Sequence, residues 1–369
     1  IDASNLVYVS DQVYEELPDA VARFNDLLLV RTGANLGDIA RVTQRFDGAL
    51  VSSHTLRLVP QSGAPVCALA AFFASDLGQR VLLSLKNGSA QGQINGSSLQ
   101  TLFLPKLNHL EASCRKLLDE ADKLESLALS TYPEAETELL NRLGWEDLVD
   151  QKPELYYSAD FSTLADSERV DPEFFHPLCR RLRQQIKNLG SLIIGEFCPE
   201  PSRGVQPEYD PSGPIVTLDS KSIRPHGVEP SGERVSQAFY DAPVNAKAHV
   251  YKGDVLLNST GRGTLGRAGC YQLDAPAVCD NHVAILHPDP KVCLPRYLAL
   301  FLNSPAGLMQ SGQFQTGSSG QLEIYPVHIQ QFLIFLPRTK SGDIDIIWQL
   351  KRADKVETAS RSREEAKAK

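Results

Sequence analysis

The chain has 369 residues, enough for two or three domains with a sizeable buried core. Its 42% hydrophobic and 22% charged content is ordinary for a globular protein, and no apolar run is long enough to span a bilayer. The net charge of −8 argues against a uniformly basic nucleic-acid binder. Seven scattered cysteines with no CxxC pair argue against a disulfide framework or a zinc site, so a reducing cytoplasm without a membrane partner is expected.

Leu27–Val30 is a short apolar run that ends at a glycine-containing turn, the pattern of a buried strand. Residues 68–74 have the spacing of a short helix, residues 87–96 form a polar, Gly-rich loop, and residues 102–104 read as a closing strand. Then Leu107, Leu110, Cys114, Leu117, Ala121, Leu124 and Ala128 recur at alternating steps of three and four, the seam of a heptad helix. Tyr132-Pro133 ends it, and a shorter amphipathic helix over 134–143 is closed by Gly144. Strands follow at residues 255–257 and at Val283–Leu286, the latter closed by His287-Pro288. Residues 296–303 predict a helix stopped by Ser304-Pro305, residues 312–320 a polar loop, and residues 332–336 a closing strand. The last helix carries Ile346, Ala353, Val356 and Ser360 on its seam, interrupted at Gly342 and Gln349.

These elements recur in order. Asp26 to Gly33 (DLLLVRTG) aligns with Asp254 to Gly261 (DVLLNSTG) at an offset of about 228. That offset or one more holds for Gly37 and Gly266, His54 and His282, Pro60 and Pro288, Phe72 and Phe301, Ser75 and Ser304, and Gly88 and Gly317. Leu104-Pro105 then matches Leu336-Pro337, and ADKLES from Ala121 matches ADKVET from Ala353. A repeat this long is a duplicated domain with a trailing helix. The expected domains are 1–105, a first copy that is N-terminally incomplete, either because the chain is a trimmed fragment or because this copy lacks its opening elements; 106–150, a spacer helix and short helix; 151–338, the second copy; and 339–369, a second, truncated spacer helix. Charge is uneven. Residues 1–105 carry 7 basic and 9 acidic side chains, residues 106–170 carry 7 and 15, and residues 171–369 carry 23 and 21. The negative charge therefore sits around the first long helix, and the repeated domains are near neutral.

Several chemistries leave no trace. There is no G-x-x-x-x-G-K-[ST] loop, no Asn/Asp-Pro-Pro-aromatic tetrapeptide of adenine methylases, and no HExxH, GxSxG or metal-spaced set. Gly261-Arg262-Gly263-Thr264-Leu265-Gly266 matches GxGxxG in letters but has no clear helix after it, which the dinucleotide fold requires.

The Thr32-Gly33 and Thr260-Gly261 turns have two readings. They supply backbone N–H groups to phosphate, or the glycines simply allow a tight turn. The flanking residues differ between copies, as expected of a scaffold that reads two different half-sites. The candidate DNA contacts around the turns are Arg31, Thr32, Asn35, Asn258, Ser259, Arg262, Thr264 and Arg267. From the polar loops come Ser89, Gln91 and Gln93 in the first copy, and Gln313, Gln315, Ser318 and Ser319 in the second; a surface loop without function is the alternative. His54 and His282, shared by both copies, suit a fold-holding hydrogen bond better than base reading. Helix packing is expected from Leu110, Cys114, Leu117, Ala121, Leu124, Ile346, Ala353 and Val356. A helix over residues 107–131 would run about 38 Å at ~1.5 Å per residue, close to a turn of B-DNA.

In this order the motifs resemble the specificity subunit of type I restriction-modification systems. The likeness rests on DLLLVRTGANLG and GDVLLNSTGRGTLG, on GSAQGQ and GSSGQL, on the closing strands and the heptad helices, and on Arg169 to Phe175 (RVDPEFF) at the entry to the second copy. The resemblance implies a mixed α/β fold (α+β): two tandem target recognition domains, separated and followed by long coiled-coil helices in a pseudo-two-fold arrangement. It implies that each domain binds half of a split double-stranded DNA target and that the helices set the spacing. It further implies a non-catalytic chain that binds no cofactor itself. Two methylation subunits would bring S-adenosylmethionine for adenine-N6 methylation, and a motor-nuclease subunit would bring ATP for restriction in defence against foreign DNA. The alternatives are the C-terminal specificity region of a fused restriction-methyltransferase and a protein adaptor that binds no DNA.

Overall fold

The computed structural model describes residues 6–87, 92–149, 156–167, 169–317 and 322–369. The chain divides into two compact units, Ile1–Glu125 with Glu365–Lys369, and Ser126–Glu364.

The first unit opens with α1 (Asp11–Glu16), capped by the Ser10 hydroxyl. Its sheet has β1 (Leu27–Val30) between β2 (Ile39–Arg41) and β3 (Thr55–Leu58), both antiparallel to it. Over this sheet lie α2 (Val66–Ala74) and α3 (Asp76–Ser84). The break between them is chemical. Ser75 Oγ donates to the Phe72 carbonyl at 2.6 Å and accepts from the Gly78 amide at 3.2 Å, so one hydroxyl ends a helix and caps the next. Gly78 lies so close to the Phe72 carbonyl that a Cβ there would sit 1.9 Å from its oxygen, so no side chain fits. Leu29, Phe73, Leu82 and Ile94 form the buried centre, and α4 (Gly96–Leu99) follows.

Next comes α5, a single 33-residue helix from Glu111 to Leu143. The break expected at Tyr132-Pro133 is absent. Proline lacks the amide that an interior helical residue donates, so it normally kinks or ends a helix. Here buried residues on both sides, Ala128 and Thr131 before Pro133 and Ala135, Leu139 and Leu143 after it, anchor the helix by packing. The predicted seam is also corrected at two positions. Leu110 and Leu117 are each 42% exposed. In the first unit the helix instead turns Leu118 onto Leu27, Val66 and Ala70, and turns Asp119 and Asp122 onto Arg41.

In the second unit, α6 (Trp145–Val149), α7 (Phe161–Ser167) and the strongly amphipathic α8 (Pro177–Leu189) precede β4 (Ser191–Ile193) and α9 (Ile194–Phe197). Then come β5 (Ser202–Arg203), β6 (Ile215–Leu218), the hairpin β7 (Ile223–Arg224) and β8 (Gly227–Val228), β9 (Arg234–Val235), α10 (Gln237–Asp241) and β10 (His249–Val250). The repeated portion holds β11 (Val255–Asn258), β12 (Ala268–Cys270), β13 (Ala277–Cys279), β14 (Val283–Leu286), α11 (Pro295–Asn303), α12 (Pro305–Phe314), α13 (Pro326–Ile329) and β15 (Leu333–Phe335). The chain ends with α14 (Ile346–Ala368). One four-stranded sheet runs β12-β11-β14-β5 and another β10-β13-β6-β9, with β13 and β6 parallel. The large core joins α8, α11 and β15 through Leu182, Ile186, Phe301 and Phe335.

The duplication survives in strand register. Leu27 faces Arg41 and Leu58, as Val255 faces Cys270 and Leu286. Val21 bridges Leu50, as His249 pairs with Val278. Ser304 caps α12 as Ser75 caps α3.

Two expectations fail here. Residues 312–314 belong to α12, so the predicted polar loop begins later. Residues 102–104 form no strand, although β15 does. A strand needs a partner: β15 pairs with β4, whereas no described segment pairs with 102–104, and Phe103 is fully exposed. In the second unit, α5 and α14 pack with Ala135, Leu139 and Val356 in one core. Arg352 meets Glu138, and Lys355 meets Glu134 and Glu138, so the helices run in opposite directions there.

Candidate nucleic-acid interface

In each copy the strand carrying the DLLL or DVLL pattern ends in a turn. Gly33 and Gly261 hold φ of +94° and +100°, where side chains are strained. The threonine before each glycine meets the shared histidine: Thr32 Oγ1 lies 2.9 Å from His54 Nδ1, and Thr260 Oγ1 lies 2.8 Å from His282 Nδ1. The His54 carbonyl accepts the Arg31 amide, and the His282 carbonyl accepts the Ser259 amide. These histidines fasten the turn to the neighbouring strand.

A second loop docks on the same turn. Asn87 bridges Gln93, and Thr316 bridges Glu323. The next residue donates its amide to the turn in both copies, Ile94 to the Arg31 carbonyl at 3.0 Å and Ile324 to the Ser259 carbonyl at 2.8 Å. The glycine turn, the polar loop and the histidine, all read separately from the sequence, are thus one frame built twice.

The side chains on this frame differ. Arg31 Nη2 reaches Asn95 Oδ1 at 3.1 Å and Gln93 Oε1 at 3.4 Å. In the second unit, Arg203 from β5 forms an ion pair with Glu323 at 2.5 Å, donates to the Asn281 carbonyl at 2.6 Å, and lies 5.8 Å from the Tyr325 ring centre. The Tyr325 hydroxyl also donates to Glu323 at 2.7 Å. Those two donors hold the Glu323 carboxyl below its usual range. Sequence reading missed Arg203, Glu323, Tyr325 and Asn95. Arg203 lies on β5, which has no counterpart among the described residues of the first unit, so the offset gave no signal. The other three sit just beside the Gly-rich stretches, next to isoleucines that recur in both copies.

Of the predicted contacts, Asn35 and Arg262 are exposed, and Arg31, Thr32, Thr264, Arg267 and Gln315 are partly buried. Burial, and the charge of Arg224, lower the pKa of Arg267. Thr264 Oγ1 donates to the Thr260 carbonyl, an internal bond of the turn. Asn258 and Ser259 are corrected. Both are fully buried, because β11 is covered on both faces; Asn258 Nδ2 donates to the Ser220 carbonyl and Ser259 Oγ to the His282 carbonyl. Gln313 is corrected likewise: it is buried on α12 and donates to the Phe174 carbonyl. Gln315 contributes its carbonyl to Arg169, which also grips Asp171 and lies over the Phe174 ring. Ser89, Gln91, Ser318 and Ser319 lie outside the described residues. The Gly261–Gly266 run leads into β12 and not into a helix, which removes the dinucleotide reading. Among the described residues no group of three or more His, Cys, Asp or Glu side chains is placed to hold a metal, and no single helix is long and apolar enough to cross a membrane.

No protein-family model and no curated protein matches the chain. Among solved structures it is similar to the S subunit of a type I restriction-modification system from M. genitalium. That match has 14% identity and a TM-score of 0.48, and covers 95% of this chain and 80% of that one. It is also similar to the HsdS subunit from Thermoanaerobacter tengcongensis, with 15% identity and a TM-score of 0.35 over 94% of this chain and 76% of that one. A third similar chain comes from a structural study of the assembly and conformational transition of the type I R-M system. It has 18% identity and a TM-score of 0.36, and covers 94% of this chain and 79% of that one.

Proposed function

We propose that this chain is the specificity subunit of a type I restriction-modification system. Each unit reads one half of a split DNA target, and partner subunits carry out adenine-N6 methylation and restriction there. The supporting observation is the frame of glycine turn, docked loop and histidine, present twice in one register with unlike side chains upon it. Keeping a scaffold and varying its contacts is what reading two different half-sites requires. Arg31, Thr32, Asn35, Arg262, Thr264, Arg267 and Gln315 are the candidates for phosphate and base contact among the described residues, and affinity is expected to fall as salt rises. The chain itself performs no chemistry in this reading. Two methylation subunits bring S-adenosylmethionine and extrude the target adenine, and a motor-nuclease subunit brings ATP.

The test is adenine-methylation mapping in cells that express the protein with its neighbouring methylation subunit, against cells without it. A new motif of two short half-sites separated by a fixed gap is the expected result. No new motif, with the partner active and bound, would sink the proposal in favour of an adaptor.

A further inference from the structure

The two frames hold an arginine at the same station but deliver it from different parts of the chain. Gln93 and Glu323 correspond, because each closes the bridge of its loop and precedes the isoleucine that bonds the turn. Asn95 and Tyr325 correspond in turn. In the first unit the guanidinium over these positions comes from Arg31, which directly follows β1. The residue equivalent to Arg31 in the second unit is Ser259, buried and bonded to the His282 carbonyl. The guanidinium there comes from Arg203, carried by β5 at the edge of the sheet beside β14.

The electrostatics of the two stations differ. Arg31 is held by two neutral amides, so its station keeps a positive charge. Arg203 is neutralised by Glu323, whose carboxylate also takes the Tyr325 hydroxyl. With Nη2 spent on Gln93 and Asn95, the remaining edge of the Arg31 guanidinium offers a cationic donor that suits the O6 or N7 acceptor of guanine. A carboxylate beside a phenol ring suits the amino group of cytosine or adenine and repels acceptor-only edges.

We infer that Arg31–Gln93–Asn95 and Arg203–Glu323–Tyr325 are corresponding base-discriminating stations, the first selecting guanine and the second a base that presents an amino group. This inference rests on the DNA-reading function proposed above.

Methylation mapping with variants of the full chain, co-expressed with the methylation subunit, tests it. Glu323→Gln keeps shape and removes charge. It should weaken selection at one position of one half-site by about 10-fold or more and leave the other half-site unchanged. Arg31→Met should relax a guanine position in the other half-site alone. Tyr325→Phe removes only a partly exposed hydroxyl, so it serves where Glu323→Gln impairs folding, and it should shift the same position as Glu323→Gln. Unchanged motifs in all soluble variants, with lowered thermal midpoints, would show that these groups only clip loop to turn and would overturn the inference. A wild-type protein that yields no split motif would instead remove the DNA-reading function itself, before any variant is made.

Discussion

Thr260 Oγ1 lies 2.8 Å from Nδ1 of His282, and the same contact recurs at 2.9 Å between Thr32 and His54. A partly exposed hydrogen bond of this kind stabilises by about 0.5–1 kcal/mol. Thr260→Val and His282→Phe should each cost about that much in urea unfolding. The double variant should cost no more than either alone, because each removes the same contact. Additive losses would show that the two side chains act separately.

Arg41 ties α5 to the sheet of the first unit. Its side chain is 4% exposed and reaches Asp119 at 3.0 Å and Asp122 at 2.5 Å. Burial pushes the Asp122 carboxyl up even though the guanidinium pulls it down, so this pairing has a desolvation cost. Asp119→Asn with Asp122→Asn leaves a buried cation without a counter-charge. The expected loss is about 3 kcal/mol, the low end for a broken buried pair, because both carboxylates are partly solvated. Chemical denaturation followed by a probe in the first unit would measure it.

Phe103 and Phe335 occupy corresponding places before the closing Leu-Pro, yet one is fully exposed and the other buried. Phe335→Ala should cost about 3–5 kcal/mol. Phe103→Ser should change stability by no more than about 0.5 kcal/mol. Thermal melts of the two variants decide this. A large loss from Phe103→Ser would mean that this face is covered in solution.

His287 Nδ1 lies 2.6 Å from Asp254 Oδ1, and that carboxylate raises the histidine pKa above its usual value against the opposing effect of burial. Protonated His287 is therefore favoured in the folded chain. Its contribution is fully present below the unfolded value of about 6.5 and is lost as pH rises through the elevated folded value. Stability of the second unit should decline across that window, and His287→Gln should flatten the decline. An NMR titration of His287 with a midpoint at or below about 6.5 would contradict this. The ring is half exposed, so the effect is modest.

The first copy and the second were legible as duplicates because the offset between them is preserved by the strands that pair. Leu27 and Val255 keep the same register with their neighbours, and insertion of a single residue would turn every side chain of those strands to the wrong face. Ser304 was legible as a stop and Ser75 as its match in the repeat, but neither as the cap of a further helix, because cap and stop use the same residue type. Three polar candidates failed for one reason. Asn258, Ser259 and Gln313 are polar by composition but sit on elements covered by neighbouring layers, and a buried polar side chain turns to a backbone partner.

By itself the sequence determined the duplication, the strand-turn pattern of each copy and the existence of the long helices, because periodicity and glycine placement are local constraints on the backbone. It did not determine that Pro133 lies inside a continuous helix, since packing of Ala135, Leu139 and Leu143 overrides a local propensity. Nor did it determine which arginine reaches each station. Arg31 meets Gln93 and Asn95 some sixty positions away, and Arg203 meets Glu323 across more than a hundred, and such distances close only when the sheet assembles. Ion pairing and burial depend on proximity in space, which the fold alone creates.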